Sequence, residues 1–379
     1  MGLPFDHAIR NLGRRPGRTT LTALSSAMVA ALLVATTAFV RGLSGTFAGA
    51  SDPHTALLLS KVAERDVVRS TTAAGLASLV KASVPGVEVA SDEIHMGTSI
   101  VVPGFEGERA GFVRGVTPNA YEVHRALTLS EGALPGPGEV IVGRLVARQL
   151  GVPESAVAPG ETLVLEGAEQ RIVGRFVAPG TTLEAEIWTP LDPLRGLAQR
   201  GDSSVVFVRL ADDTARKRLR LFCDRRLDLE LEPVRSAEYY GELVAYFVPI
   251  QRMAWMLAAL IGVAALLGGA NAAAASVQDR IKELAALRAI GFGTRALATS
   301  LLIEALVVAA AGAVLGLLLA RVALEGGAVR LAMSAFELRV DPVAVLVGFG
   351  GTLVLAVAAV VPAAWRLARL PIAAALSED

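Results

Sequence analysis

Side chains equipped for chemistry are sparse in these 379 residues, and their spacing argues against most reactions. The histidines His7, His54, His95 and His124 are scattered, with no H-E-x-x-H pair and no carboxylate at metal-ligand spacing. No G-x-x-x-x-G-K-[ST] loop is present and the chain has only four lysines, so it cannot hold ATP in a phosphate-binding loop of its own. A G-x-S-x-G nucleophile elbow is also missing. The single Cys223 excludes a disulfide framework or a cysteine-rich metal site and reads as a small buried hydrophobe. The paired acids Asp92-Glu93 and Asp212-Asp213 read as solvated or helix-capping groups, not catalytic ones. Gly348, Gly350 and Gly351 fall in an apolar run, where close helix packing accounts for them. No catalytic, cofactor-binding or metal-binding residue emerges, and the chain does not read as an enzyme.

Two features survive this search. Glu304 is the lone acid in a long apolar run, which by default raises a functional role such as a proton relay. It lies nine residues past Arg295, roughly 13 Å along a helix, so a structural role near the headgroups competes with that reading. The second feature is the segment Gln278–Gly291. Ile281, Leu284, Ala285, Leu287 and Arg288 recur there at helical spacing before Gly291-Phe292-Gly293 breaks the helix. Such a helix either lies passively in a membrane interface or docks a partner.

The elements that position these residues follow from composition. Hydrophobic residues make up 53% and charged residues 19%, with a mean hydropathy of +0.53. Soluble domains carry about 25% charge. Lys plus Arg and Asp plus Glu both number 36, which leaves no basic excess for nucleic acid. Segment 43–245 nevertheless holds 21 basic and 27 acidic residues, so the rest of the chain is net basic.

Four charge-poor runs lie in that basic remainder: Thr19–Val40, Met253–Gln278, Ala296–Ala320 (interrupted by Glu304) and Pro342–Trp365. Each meets the length of about 20 residues that a bilayer core demands. The first is longer than the apolar core of about 7–15 residues in a signal peptide, so it reads as an uncleaved span although Ala48-Gly49-Ala50 imitates a cleavage site. Arg10, Arg14, Arg15, Arg18, Arg280, Lys282, Arg288, Arg295, Arg366 and Arg369 sit on one side in short segments, against Arg321, Arg330 and Arg339 on the other. That bias places both termini in the cytoplasm and segment 43–245 outside.

The outer segment has the turns and alternation of a folded domain. Thr55–Val62, Ser203–Leu210 and Leu227–Val234 read as strands, Gly86–Ala90 as the start of one, and Thr71–Ala82 and Asp212–Arg226 as helices. Two strand–helix–strand units of this kind can pair into one α+β lobe. Between them, residues 111–190 are rich in short strands and Pro-Gly turns, and read as an inserted β-rich lobe.

The expected organisation is therefore a cytoplasmic segment 1–18, a first transmembrane helix 19–42 and an extracytoplasmic α+β domain 43–245. A second span 246–276, a cytoplasmic link 277–295, a third span 296–320, an external loop 321–341, a fourth span 342–365 and a cytoplasmic tail 366–379 complete it.

Several motifs resemble those of the FtsX-like, MacB-type ABC transporter permeases. The link matches "R-x-x-E-[IL]-[AG]-x-L-[RK]-A-[IL]-G" at Arg280, Glu283, Leu284, Ala285, Leu287, Arg288, Ala289, Ile290 and Gly291. Glu304-Ala305-Leu306 stands where the family's third span has "E-[AS]-L". Pro362-Ala363-Ala364-Trp365-Arg366-Leu367-Ala368-Arg369-Leu370-Pro371 through Ala375-Leu376 resembles the closing motif, and Ala8-Ile9-Arg10-Asn11-Leu12 with Arg14, Arg15 and Arg18 the opening one.

The resemblance implies the membrane subunit of an ABC complex in the bacterial inner membrane. It implies two copies of a separate cytoplasmic ATPase that binds the ATP and Mg, a second permease copy (identical or a paralogue), and membrane lipid. A periplasmic adaptor is compatible with it, and nucleic acid is not a partner. The ATPase-coupling residues it implies are Arg280, Glu283, Leu284, Leu287, Arg288 and Gly291, with Leu284 and Leu287 filling apolar pockets of the ATPase. The expected function is ATP-driven movement of the outer domain that exports or extracts a lipophilic or periplasmic substrate. The alternative is an FtsX-like subunit that activates an extracytoplasmic hydrolase without transport. A secondary transporter would want inverted repeats and broken spans, which four spans with one marginal acid do not supply.

Overall fold

The computed structural model describes residues 16–331 and 334–369. The opening motif up to Arg15 and the closing residues from Leu370 lie outside the described residues. The chain divides into two compact units, one with its described residues in 16–41, 249–327 and 338–369, the other spanning 42–248 and 328–337.

In the second unit the elements alternate in chain order. They are β1 (Thr55–Ser60), α2 (Leu76–Ser83), β2 (Val87–Val101), β3 (Arg109–Val116), α3 (Ala120–Val123), β4 (Thr128–Gly132), β5 (Glu139–Gly143), α4 (Val146–Leu150), β6 (Thr162–Leu165), β7 (Ala168–Val177), β8 (Glu186–Pro190), α5 (Leu191–Leu197), β9 (Val205–Leu210), α6 (Asp213–Arg225) and β10 (Leu231–Arg235). Helix α1 (Pro16–Gly49) precedes them, and α7 (Ser236–Gln278) follows β10 at once.

The outer strand–helix–strand units combine as the alternation suggests. Strands run β10-β1-β9-β2, all antiparallel, and α2 and α6 cover one face through Leu76, Val80, Ala215 and Leu219 packed on Ala56, Leu58, Val206 and Val208. Asp212 caps α6 by accepting a bond from the Ala215 amide at 2.7 Å. Cys223 is buried in that same core, and burial pushes its thiol up to about 12, which fits an inert hydrophobe.

Residues 111–190, expected as an inserted β-rich lobe, share a sheet with this part. Strand β2 is fifteen residues long: its first half pairs with β9, its second half with β3 and finally β6. One mixed ten-stranded sheet results, ordered β10-β1-β9-β2-β3-β8-β5-β7-β4 with β6 beside β2 and β7. The pairs β3–β8 and β5–β7 are parallel, the others antiparallel. The strand start read at Gly86–Ala90 runs on through the polar Ser91-Asp92-Glu93 to Val101.

A hairpin, β11 (Ala328–Leu331) and β12 (Ser334–Glu337), also belongs to this unit. It lies inside the segment 321–341 expected as a plain loop, and it buries Ala335 against Leu145 and Ala185. Strands of four residues carry too little alternation to be read from sequence.

The helical unit holds four helices long and apolar enough to cross a membrane: α1, α7, α9 (Thr294–Leu324) and α10 (Pro342–Arg369), with the short α8 (Ile281–Ala289) between α7 and α9. Small residues let them approach. A Cβ on Gly312 or Gly316 of α9 would collide with the carbonyls of Ala23 or Ala27 on α1. Helix α7 starts at Ser236, ten residues before the expected second span, and continues through Pro249.

Candidate functional site

The coupling-helix motif forms a compact corner of the helical unit. Arg280 precedes α8, and its guanidinium grips Glu304 of α9 with two bonds, Nη1 to Oε2 at 2.9 Å and Nη2 to Oε1 at 3.1 Å. Its Nε stands 3.8 Å from Glu283 Oε2, so one arginine gathers both acids of the motif. Glu304 is thus the anchor of the link, which gives the acid a structural partner. Arg288 donates to the Leu367 carbonyl at 3.4 Å. Gly291 takes φ +106°, a left-handed conformation that ends α8 without strain for glycine alone.

The two motif leucines face inward. Leu284 is buried, with Leu287 packed beside it, among Val277, Leu297, Leu301, Val360, Ala363 and Leu367. Leu284 thus has little apolar area left to offer a partner's pocket, whereas the half-buried Leu287 keeps part of its own. The outward face of α8 is instead Lys282, Glu283, Ala286 and Ile290, of which Ile290 is 77% exposed. Sequence periodicity found the apolar stripe and not the direction in which it points.

Beside this corner lies a cleft of about 530 Å³ between α1, α7, α9 and α10. Small side chains such as Ser25, Ser26, Ala272, Ala273, Ala305 and Ala309 line it, and the Arg280–Glu304 pair borders it. It offers room for an apolar chain, with the hydroxyls of Ser25, Ser26 and Ser276 on its wall. Among the described residues no group of His, Cys, Asp or Glu is arranged to hold a metal ion.

The sheet unit contains an ionic cluster that the sequence reading missed. Strand alternation puts Glu93 and His95 on one face of β2, and Glu186 and Trp188 on one face of β8. Register then sets His95 opposite Arg114 across β2–β3, and Arg114 beside Trp188 across β3–β8. Arg114 donates from Nε (2.7 Å) and Nη2 (2.8 Å) to Glu186, and from Nη1 to Glu93 at 2.9 Å. Trp188 Nε1 donates to Glu186 at 2.9 Å. Around Glu93, His95 Nε2 stands at 3.2 Å and His124 Nε2 at 2.8 Å.

All five charged or titratable groups are buried or nearly so. Burial works against the Glu93 carboxylate, but His124, His95 and Arg114 hold it well below the usual range. Burial and the Arg114 guanidinium push His95 down to about 4, so its ring is neutral. Burial lifts Tyr121, at the edge of the cluster, to about 12. The readable signal was a charge within each of three strands: Glu93 in the middle of β2, Arg114 inside β3 and Glu186 at the start of β8. Asp92, by contrast, does cap, accepting a bond from the Ala77 amide at 3.2 Å.

A family described as the MacB-like periplasmic core domain matches residues 19–220, and the FtsX-like permease C-terminal family matches residues 255–372. The first covers more than half of the chain, which therefore belongs to the FtsX/MacB-like ABC transporter permeases. Among solved structures, the chain is similar to the periplasmic region of MacB from Actinobacillus actinomycetemcomitans, at 13% identity over 52% of this chain and 94% of that one, with a TM-score of 0.41. It is also similar to the extracellular domain of the noncanonic ABC-type transporter YknZ from Gram-positive bacteria, at 16% identity over 48% and 100%, with a TM-score of 0.38. No curated protein matches.

Proposed function

We propose that this chain couples ATP hydrolysis on a separate cytoplasmic ATPase to movement of its periplasmic-type domain, driving export or extraction of a lipophilic or periplasmic substrate. ATP and Mg bind the partner, two copies of which serve a pair of permeases. Both termini lie in the cytoplasm, following the arginine bias. Helix α7, the least covered of the four long helices, offers Met253, Met256, Leu260 and Leu267 to lipid or to the second permease copy.

One observation carries the reading: α8 is pinned from inside and solvent-exposed outside. The Leu284 packing and the Arg280–Glu304 grip tie it to α9 and α10, so a push on its outer face reaches those helices without loss in a soft joint. A helix that merely floated on headgroups would need no such brace. Docking then falls on Lys282, Glu283, Ala286 and Ile290, with Arg280, Arg288, Leu284, Leu287 and Gly291 holding that face in place.

The test is Ile290→Asp in the purified complex. Truncating an interface anchor costs about 2 kcal/mol or more, roughly thirtyfold in affinity. Co-purification of the ATPase should fall by at least that factor while insertion and expression stay intact. Leu284→Asp should instead destabilise the chain itself. Full ATPase binding and full coupled turnover by the Ile290 variant would end this assignment.

A further inference from the structure

The cleft of about 530 Å³ in the helical unit has two unlike ends. Its charged lining residues, Arg18, Arg280, Glu283 and Glu304, gather where α1 begins, α7 runs into α8 and α9 is in its first turns. Away from that end the wall is Val29, Ala265, Val308 and Ala309, all uncharged. The Thr352 hydroxyl at that depth is spent on the Gly348 carbonyl at 2.7 Å. Along α1 the cleft runs from Arg18 to Val29, about 16 Å at 1.5 Å per residue, and along α10 it runs an equal distance from Thr352 to Ala363. A bilayer's hydrocarbon core is about 30 Å thick, so the cleft has the depth of one leaflet. A charged head end, an apolar body and a one-leaflet length match a single lipid.

The head end favours a phosphate. Arg280 is engaged by Glu304 through two bonds, which balances that acid. Glu283 is 58% exposed and directs its charge to water. Arg18 is engaged much less: its Nη1 meets Asp279 Oδ2 at 3.4 Å, and a guanidinium carries five N–H donors. Its remaining fork suits a phosphate oxygen pair, and arginines at the ends of spans reach toward headgroups. Just inside this end, Thr22 and Ser25 spend their hydroxyls on the carbonyls of Arg18 and Leu21, at 3.0 and 2.9 Å. Ser276, three residues before Asp279, has no hydrogen-bond partner among the described residues and leaves its hydroxyl for an ester carbonyl. A helix of a second copy fits less well, because it would cross the whole core of about 30 Å and would bring Arg18 no anion.

We propose that this cleft is the binding site of one resident phospholipid: an acyl chain fills the apolar body as far as Val29 and Val308, and the phosphate sits at Arg18. The lipid's other chain stays in the bilayer. This lipid is a packing element of the bundle and not cargo. Helix α7 has 6% of its apolar window buried within the chain, and it closes one side of the cleft, so the acyl chain supplies packing that α1, α9 and α10 do not. The head end borders the Arg280–Glu304 pair, so the same lipid props the corner that carries α8. The proposal rests on the four spans and not on the ATPase reading, and either can fail without the other.

The experiment uses the full-length chain in nanodiscs doped with phosphatidylglycerol that carries a diazirine at the end of one acyl chain. After irradiation the label should fall on Val29, Ala265 and Val308 about tenfold more often than on Leu257 and Leu260, which α7 exposes. Equal labelling of the two sets would mean lipid present only as bilayer, and would overturn the proposal. A second copy seated in the cleft would leave Val29, Ala265 and Val308 unlabelled, which overturns it equally. This arm needs no variant that might misfold. Native mass spectrometry of the detergent-purified chain gives the second arm, and one phospholipid should survive per chain. Ala272→Phe and Ala356→Phe, which fill the cleft from α7 and α10, should each cut its retention about tenfold or more. Arg18→Gln should cut retention of added phosphatidylglycerol about tenfold and leave that of diacylglycerol, which has no phosphate, unchanged. A chain that carries only detergent, or phospholipid retention unmoved by these three substitutions, would refute the site.

Discussion

Arg114 and Arg280 each hold carboxylates away from water, one in the sheet unit and one in the helical unit, and the contrast between them is instructive. Arg114 reaches Glu93 and Glu186, 21 and 72 residues away, at the centre of four strands where no group of the cluster meets solvent freely. Arg280 reaches Glu304, 24 residues away, around the single turn between α8 and α9, and both side chains keep some exposure. The first is a closed network in which every member depends on the others. The second is a brace in the first third of α9 whose two side chains stay partly exposed. Equal chemistry therefore carries unequal cost, because desolvation sets what a broken pair leaves behind.

The largest effect should come from opening the closed network. Arg114→Leu leaves two buried carboxylates without their cation, which should cost about 3–5 kcal/mol. That is much of the roughly 5–15 kcal/mol that holds a typical domain. Thermal unfolding of the full chain should show the sheet unit melting first or failing to fold. Replacing the set together, Glu93→Gln, Arg114→Leu and Glu186→Gln, should recover a good part of the loss. A cost near 1 kcal/mol for Arg114→Leu alone would mean that water enters the cluster and the contrast is overstated.

Acid should bring a smaller effect in the same place. Burial first, and Arg114 second, push His95 from its usual 6.5 to about 4. A histidine depressed by folding supports the fold fully above pH 6.5, and that support is lost as pH falls from 6.5 through 4. The shift corresponds to roughly 3 kcal/mol by the usual conversion of pKa units. His95→Gln should flatten the stability of the sheet unit over that window, read by chemical denaturation at a series of pH values. A wild-type curve already flat between pH 6.5 and 4 would show that the His95 ring escapes its burial.

The contrast also explains what the sequence disclosed. The Arg280–Glu304 corner is local, so a motif within thirty residues carried all its members, and the four apolar runs were legible from length alone. The strand–helix–strand units were legible for the same reason, each being complete within a few dozen residues. The Glu93–Arg114–Glu186 network is assembled by register between strands that pair far apart in the chain. Asp92-Glu93 looked like a polar break in β2 because an acid at a strand centre reads as solvent until its partner strand is known. The inward facing of Leu284 was hidden for a related reason: an amphipathic stripe has a direction only once the neighbouring helices are placed. Local signals gave elements and motifs, and pairing gave the charge cluster.

The smallest effect should follow from breaking the brace. Arg280→Leu leaves Glu304 without its bidentate partner, but Glu304 is near the start of α9, ten residues past Thr294. A carboxylate there keeps some exposure, and long polar side chains near helix ends extend toward the interface. Polar couplings within membrane helices average about 0.6 kcal/mol and reach about 1.7. The loss from Arg280→Leu should thus be about 1 kcal/mol, several times less than for Arg114→Leu. A double-mutant cycle with Glu304→Gln in detergent or nanodiscs measures it directly, since the coupling energy removes whatever each substitution does alone. Coupled ATP turnover should suffer more than stability, because α8 stays folded on Leu284 while its outer face loses its fixed position. A coupling energy as large as that of the sheet network would show that Glu304 is sealed from water, and the distinction between network and brace would fall.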